Sequence, residues 1–232
     1  MNPQAPWPGE WAWLGRVPYG VSARLQEQVR DHVATGMALD TLLLLEHQPV
    51  ITFGRSADLT NVLASPEELR QSGIQVIRTS RGGDVTYHGP GQVVGYPIFR
   101  LRHGVRAHVK SMVDAIIATL SVLGIAAHWR ESQPGVWVAD NKICAVGVHV
   151  RRRVATHGFA LNVNTDLDAF RTIVPCGLRH AGVTSIETLL DASFEIEQIT
   201  HLLWRELARV FGMQLAEISA SSSRLQIANE NL

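Results

Sequence analysis

The chain has 232 residues, of which 46% are hydrophobic and 18% charged, a composition typical of a globular domain with its own core. Its 21 basic and 21 acidic residues balance, which argues against a dedicated nucleic-acid binder, so no nucleic-acid partner is expected. No apolar run reaches the roughly 18 residues of a membrane span, the first residues carry no secretion signal, and two cysteines are too few for a disulfide scaffold, so we expect a cytoplasmic protein without a membrane partner.

The predicted elements mix helices and strands along the chain. Residues 1–13, rich in tryptophan and proline, predict an irregular lead-in. Apolar residues at helical spacing predict helices at 20–35, 66–71, 109–123, 165–171, 184–190 and 195–211, the fifth capped by Thr184 or Ser185. Short apolar runs predict strands at 41–45, 50–53, 74–78, 93–98, 136–139, 143–150 and 154–163.

These elements follow one another without a regular βαβ rhythm. The sequence therefore predicts a single α/β (α+β) domain with a mixed sheet. We divide the chain into a Trp/Pro-rich leader over 1–18, a folded domain over 19–218 and a flexible polar tail over 219–232.

Glycine and polar side chains are densest in residues 81–92. Four glycines and a proline within eleven residues disfavour regular structure, and glycine lets backbone N–H groups approach a ligand directly. The spacing matches neither a dinucleotide fingerprint nor a phosphate-binding loop. A purely structural loop would explain the glycines but not the clustered polar side chains, so we predict a ligand-binding loop that carries Arg81, Asp84, Thr86, Tyr87 and His88.

The two cysteines have different surroundings. Cys176 lies between a proline and a glycine, on a turn that suits a nucleophile, whose reactive form is the thiolate. Cys144 lies in an apolar run and is predicted to be a small buried hydrophobe.

Only Lys110 and Lys142 among the 21 basic side chains are lysine. A lysine can exchange a proton at working pH, whereas an arginine cannot, so both are candidates for acid/base chemistry, with an ordinary surface lysine as the alternative. A metal site would require Cys176 to converge with several histidines, and no close pair of ligands supports it, so we expect no metal.

Several segments, in the same order, resemble the lipoyl(octanoyl) transferases of lipoate biosynthesis. They are residues 46–50, 81–92, 134–137, 142–147, 157–162 and 175–177. The resemblance implies a fold like the catalytic domain of biotin and lipoate protein ligases, and it makes 19–218 an acyltransferase domain. It also implies that an octanoyl group passes from octanoyl-acyl carrier protein to an enzyme cysteine. The acceptor is then a lysine ε-amine on a lipoyl domain of a 2-oxoacid dehydrogenase or on the glycine-cleavage H protein.

The resemblance also implies roles for individual residues. Cys176 would be the thioester nucleophile, and Lys142 the acid/base that lowers its pKa. No cofactor is implied, and His157 is a candidate supporting residue. The substrate-binding set would be Arg81, Gly82, Gly83, Asp84, Val85, Thr86, Tyr87, His88, Ala145, Val146, Gly147, Gly158, Phe159 and Ala160.

Two basic clusters admit two interpretations. One consists of Arg100, Arg102, Arg106 and Lys110, and the other spans residues 151–153. Either cluster could dock an acidic carrier protein or lipoyl domain, and either could equally be a solvated surface.

Three alternatives to the transferase remain open at this point. An ATP-dependent lipoate or biotin ligase would share the fold and need no cysteine nucleophile. An amidotransferase between lipoyl-domain proteins would keep the cysteine and use another donor. A non-catalytic acyl- or lipoyl-domain-binding module would need neither Cys176 nor Lys142.

Overall fold

The computed structural model describes residues 5–131, 133–174, 182–222 and 225. The strands are β1 (Trp7–Val17), β2 (Asp40–His47), β3 (Val50–Phe53), β4 (Gln75–Arg78), β5 (Val85–His88), β6 (Gln92–Ile98), β7 (His128–Trp129), β8 (Gly135–Val138), β9 (Asn141–Arg151), β10 (Val154–Asn162), β11 (Gly182–Val183) and β12 (Met213–Glu217). The α-helices are α1 (Tyr19–Thr35), α2 (Pro66–Gln71), α3 (Gly104–Val122), α4 (Ile186–Leu190) and α5 (Ile196–Phe211), and 3₁₀ helices span Leu59–Asn61 and Leu167–Thr172.

A large mixed sheet forms the centre of the molecule. Its strand order is β12-β1-β2-β6-β10-β9-β8-β7, with β11 attached to β9. The β12-β1-β2 part is parallel, and the strands from β2 to β7 pair antiparallel. The predicted single α/β domain with a mixed sheet is confirmed.

Two hydrophobic cores cover the two faces of this sheet. Strand β2 is buried along its whole length, because its alternate residues serve different cores. Leu42 and Leu44 pack with α3 and α5, whereas Leu43 and Leu45 pack with α1. Each such leucine contributes roughly 1.5–3 kcal/mol by leaving water.

A small sheet of order β4-β3-β5 lies beside the large one. It has its own apolar cluster, in which Val85 and Tyr87 of β5 pack with Phe170. The cleft described below opens between this small sheet and strands β9 and β10 of the large sheet.

Most predicted elements are confirmed. Helices α1, α2, α3 and α5 lie where the apolar spacing predicts them, and Ser185 caps α4 by accepting a hydrogen bond from the backbone N of Thr188. The helix predicted at 165–171 is the 3₁₀ helix Leu167–Thr172. None of the helices in these described segments is long and apolar enough to cross a membrane.

The prediction of an irregular lead-in over 1–13 is wrong for the residues that the structure describes. Residues from Trp7 form β1, which pairs with both β2 and β12. Trp11 is buried and stacks on Trp204 with ring centroids 5.1 Å apart. The partner strand β12 lies at the other end of the chain, so no local sequence pattern predicts the pairing.

The loop predicted over 81–91 also contains a strand, β5, which pairs antiparallel with β3. At the other end of the chain, Leu225 is buried in the α1-side core, and most of the predicted tail lies outside the described residues. The division into leader, domain and tail stays a prediction.

Candidate active site

The floor of the main cleft is a patch of small residues on β9 and β10. Gly147 pairs with Gly158, and Ala145 pairs with Ala160. Because these four residues carry little or no side chain, they leave a cleft of about 510 Å³ above the sheet, open on one side.

Most of the predicted substrate-binding set lines this main cleft. The lining residues from that set, with the candidate His157, are Arg81, Gly82, Gly83, Asp84, Thr86, His88, Ala145, Val146, Gly147, His157, Gly158, Phe159 and Ala160. Val85 and Tyr87 do not line it, because alternate residues of β5 point to opposite faces and these two face the small-sheet core.

Four further residues line the cleft without having been predicted: Tyr19, Val94, Tyr96 and Pro134. Tyr19 begins α1, and Tyr96 lies within an apolar strand, so neither stands in a recognisable motif. A tyrosine in an apolar strand is the weak signal that could have found Tyr96, since a buried hydroxyl needs a partner. That partner is His47, whose Nε2 lies 2.7 Å from the Tyr96 hydroxyl.

Arg81 ties the glycine-rich loop to the small sheet. Its side chain is buried, and Nη2 donates to the carbonyl and the hydroxyl oxygens of Thr52 at 2.6 and 2.9 Å. The next residue, Gly82, donates its backbone N–H to the carbonyl of Val148 on β9 at 3.1 Å. A Cβ at Gly147 would lie 3.0 Å from the Gly82 carbonyl oxygen, so glycine at 147 permits this close approach.

Two buried histidines, His88 and His157, line the cleft, and a third, His47, contacts the lining residue Tyr96. Burial lowers the pKa of His47 to about 4, and burial with the charge of Arg81 lowers the pKa of His157 to about 3. Burial, then the neighbouring His47 and Arg81, holds the pKa of His88 well below its usual value. All three rings are therefore neutral at pH 7, so they act as hydrogen-bonding groups rather than as charges.

A chain of hydrogen bonds runs from His88 toward Lys142. His88 Nδ1 lies 2.8 Å from Gln92 Oε1, and since an amide oxygen only accepts, the ring proton is on Nδ1. Gln92 donates to Asn162 Oδ1 at 2.8 Å, and Asn162 donates to the carbonyl of Thr184 at 3.0 Å. The backbone N–H of Thr184 in turn donates to the Lys142 carbonyl at 3.0 Å. Each donor meets an acceptor, which fixes the geometry around Lys142.

The side chain of Lys142 is buried at the start of β9. Its Nζ donates to the carbonyl of Pro134 at 3.2 Å and lies 5.1 Å from the centre of the Trp137 ring. A Cβ at Gly135 would lie 2.9 Å from Lys142 Cε, so this glycine makes room for the lysine stem. A small space next to the main cleft, which we call the lysine cavity, is lined by Thr86, Gln92, Lys142, Ala145, Ala160, Asn162, Phe170 and Val183.

The predicted nucleophile Cys176 lies outside the described residues, but both flanks of its segment are described. On the N-terminal side, Val174 donates its backbone N–H to the Asn61 carbonyl at 2.7 Å. On the C-terminal side, Val183 is the register partner of Lys142 in the parallel pairing of β11 with β9.

Cys144 has the buried position that the sequence predicts. It is fully buried in the core beneath β9, and that burial raises the pKa of its thiol. Because the reactive form is the thiolate, Cys144 is a structural residue rather than a nucleophile.

Several side chains of the two basic clusters form ion pairs with nearby aspartates. Arg102 forms an ion pair with Asp40 at 2.7 Å, and Lys110 forms one with Asp114 at 2.5 Å. In the other cluster, Arg152 Nη1 lies 3.6 Å from Asp31 Oδ1. Across residues 5–131, 133–174, 182–222 and 225, no group of three or more His, Cys, Asp or Glu side chains is placed to hold a metal ion.

Comparison with known proteins identifies relatives over most of the chain. The family of the lipoyl protein ligase A/B catalytic domain matches residues 18–208. An octanoyltransferase of Koribacter versatilis is 45% identical over 210 residues, which cover 87% of this chain and 84% of that protein. An octanoyltransferase of Solibacter usitatus is 47% identical over 205 residues, covering 87% and 92%.

Solved structures share the fold at much lower identity. The crystal structure of lipoate-protein ligase A bound with ATP aligns with a TM-score of 0.80 over 94% of this chain and 91% of that one, at 18% identity. The resemblance in fold that the sequence predicts is thereby confirmed. With its relatives at 45–47% identity, the chain belongs to the octanoyltransferase family, within the wider family of lipoyl protein ligase A/B catalytic domains.

Proposed function

We propose that this chain is an octanoyltransferase of lipoate biosynthesis that works through a thioester on Cys176. The donor is octanoyl-acyl carrier protein. The acceptors are lysines on the lipoyl domains of 2-oxoacid dehydrogenases and on the glycine-cleavage H protein. The observation that carries the proposal is the pairing of Val183 with Lys142, which ties the cysteine-bearing segment to the strand of the buried lysine beside the cleft.

Chain connectivity supports a meeting of Cys176 and Lys142. Cys176 follows Val174 by two residues, so covalent geometry keeps its Cα within about 7 Å of the Cα of Val174. Val174 is bonded to Asn61, whose side chain donates to Asp84 of the glycine-rich loop at 2.6 Å. The two described flanks of this segment therefore lie on the glycine-rich side of the cleft and on the lysine side.

The chemistry needs two acyl transfers. In the first, the Cys176 thiolate attacks the carbonyl carbon of the donor thioester, and the carrier thiol leaves with the proton that the cysteine lost. In the second, the lysine amine of the acceptor attacks the acyl-enzyme, its proton passes to Lys142, and the Cys176 thiolate is released. The first step exchanges one thioester for another and the second forms the more stable amide, so neither needs ATP.

The surroundings suit both partners of these steps. Ala145, Ala160 and Phe159 offer apolar surface to an acyl chain, and each methylene they bury contributes about 0.8 kcal/mol. Backbone N–H groups of the glycine-rich loop could stabilise the oxyanion of each tetrahedral intermediate. The arginines at 151–153 and at 100–106 offer positive charge to an acidic carrier.

The relatives favour a transferase over an ATP-dependent ligase. The proteins at 45–47% identity are octanoyltransferases, whereas the ATP-bound ligase, at 18% identity, supports only the common fold. An ATP-dependent ligase would also leave Cys176 without a role.

A transfer assay without ATP separates the transferase from the ATP-dependent ligase and from the binding module. Enzyme, octanoyl-acyl carrier protein and an unmodified lipoyl domain are mixed, and the domain is weighed by mass spectrometry. We expect one octanoyl group on the domain. A strict requirement for ATP and free octanoate would establish the ligase instead, and binding of the donor without transfer would establish a binding module.

A further inference from the structure

Three spaces near the floor strands adjoin one another through shared lining residues. The lysine cavity shares Thr86, Ala145 and Ala160 with the main cleft. At its other end, the main cleft shares Tyr19 and His157 with a groove of about 920 Å³ between α1 and residues 77–80, which we call the α1 groove. Tyr19 and His157 are therefore the partition between the main cleft and the α1 groove.

We propose that His157 is the end wall of the acyl site and sets the longest acyl chain that the enzyme accepts. This inference rests on the proposed octanoyl transfer and adds the residue that determines chain length. Nothing in the transfer chemistry itself requires His157, because it lies at the opposite end of the cleft from the lysine cavity.

The length of the cleft matches an eight-carbon chain. The acyl carbonyl must lie beside the lysine cavity, at the level of Ala160, and His157 is three residues further along β10. Three residues of a strand span about 10 Å. An extended octanoyl chain spans about 9 Å between its first and last carbons, given single C–C bonds near 1.5 Å. A chain with two or four more carbons would reach the His157 ring.

The backbone of His157 is held in a conformation that side chains seldom adopt. Its φ is +57°, in the left-handed region, inside a strand that otherwise pairs regularly with β9. Such outliers persist only where the surrounding structure enforces them, and they concentrate at functional sites. At His157 the backbone N–H donates a hydrogen bond to Gln26 Oε1 of α1 at 2.8 Å.

The ring is held as firmly as the backbone. Nε2 lies 3.1 Å from the Ser80 hydroxyl, across the mouth of the α1 groove. His157 is only 8% exposed, and it packs edge-on against Tyr96 with ring centroids 6.3 Å apart. A longer acyl chain would have to displace a neutral ring that is bonded on the far side, whereas the α1 groove behind it has room for further carbons.

Acylation rates with a series of donors test this wall. Hexanoyl-, octanoyl-, decanoyl- and dodecanoyl-acyl carrier protein are each reacted with the full-length enzyme, and acyl-enzyme is followed by intact-protein mass. The variants are His157→Gly, since glycine favours the left-handed backbone, and His157→Asn, which also tolerates it and is shorter. His108→Asn is the matched control, because His108 is an equally buried histidine on α3, away from the cleft.

We expect the ratio of dodecanoyl to octanoyl rates to rise at least about tenfold in His157→Gly, the scale on which hydrophobic pockets discriminate chain lengths. His157→Asn should shift the ratio in the same direction, and His108→Asn should keep the wild-type ratio. An unchanged ratio in either folded His157 variant would overturn the proposal that His157 limits chain length. The proposed octanoyl transfer would not be affected by that result. Wild-type enzyme that forms no acyl adduct with any donor would overturn the proposed function, and the wall with it.

Discussion

Lys142 and Val183 are register partners in the parallel pairing of β9 with β11, and Cys176 precedes Val183 by seven residues. The same short β11 is followed by Thr184, whose backbone bonds both Asn162 and Lys142. The end of the cysteine-bearing segment is therefore built into the hydrogen-bonded surroundings of the lysine.

Lys142→Arg should abolish most of the activity while keeping the positive charge. An arginine cannot give or take a proton at neutral pH, so kcat for octanoyl transfer should fall by about 10²–10⁴-fold, the usual contribution of a positioned acid/base group. Lys110→Arg is the matched control, because Lys110 is exposed on α3. A Lys142→Arg enzyme with near wild-type kcat would show that charge alone suffices.

Asn162→Leu should destabilise the protein through the hydrogen-bond chain. The change leaves the Gln92 amide and the Thr184 carbonyl without their partner, and each unsatisfied buried group costs about 1–3 kcal/mol. Denaturant unfolding measures this loss. Equal stability of Asn162→Leu and the wild type would contradict this chain of hydrogen bonds.

Ala145→Val should slow acylation by hexanoyl and octanoyl donors alike. The added methyl groups would enter the main cleft next to the lysine cavity, at the level of Ala160 where the acyl carbonyl lies. Both acylation rates should fall by about tenfold, a typical effect of methylene-sized changes in a pocket, and their ratio should stay as in the wild type. Ala107→Val, on α3 outside the cleft, should leave both rates as they are.

The free energy of unfolding should decrease as the solution is acidified below pH 6.5. Burial lowers the pKa values of His47 and His108 to about 4 and that of His157 to about 3. Between these values and the unfolded value near 6.5, the unfolded chain binds protons that the folded chain excludes. Each histidine therefore removes up to about 1.4 kcal/mol of unfolding free energy per pH unit as pH falls through this window.

His108→Gln isolates one of these contributions, since glutamine does not titrate. Its unfolding free energy, measured at intervals from pH 7.5 to 4.5, should depend less steeply on pH than that of the wild type. Identical slopes for the two proteins would show that His108 is not protonated preferentially in the unfolded chain.

Local patterns predict the elements whose partners are near in sequence or whose apolar spacing is regular. Helices α1, α3 and α5 each carry a clear apolar face, so their positions follow from spacing alone. Strand β1 does not, because its tryptophans and prolines resemble a loop, and only pairing with β12 at the far end of the chain makes it a strand.

The candidate site divides in the same way. The glycine-rich loop stands out in the sequence through its clustered glycines and polar side chains, whereas the small residues of β9 and β10 are assigned only through the family resemblance. Tyr19, Val94 and Tyr96 line the same cleft without any motif, since the fold brings them there from separate elements, and Pro134 lies in a matching segment to which no site role was assigned. The opposite orientation of Val85 and Tyr87 follows from β5 being a strand, which its flanking glycines conceal.

Peptide mapping of the acyl-enzyme shows whether Cys176 carries the octanoyl group. The enzyme is mixed with octanoyl-acyl carrier protein without ATP or acceptor, digested, and its peptides are weighed before and after hydroxylamine. We expect one hydroxylamine-sensitive octanoyl group on the peptide that contains Cys176 and none in Cys176→Ala. An octanoyl group on any other residue, or full transfer activity in Cys176→Ala, would rule out a catalytic thioester on Cys176.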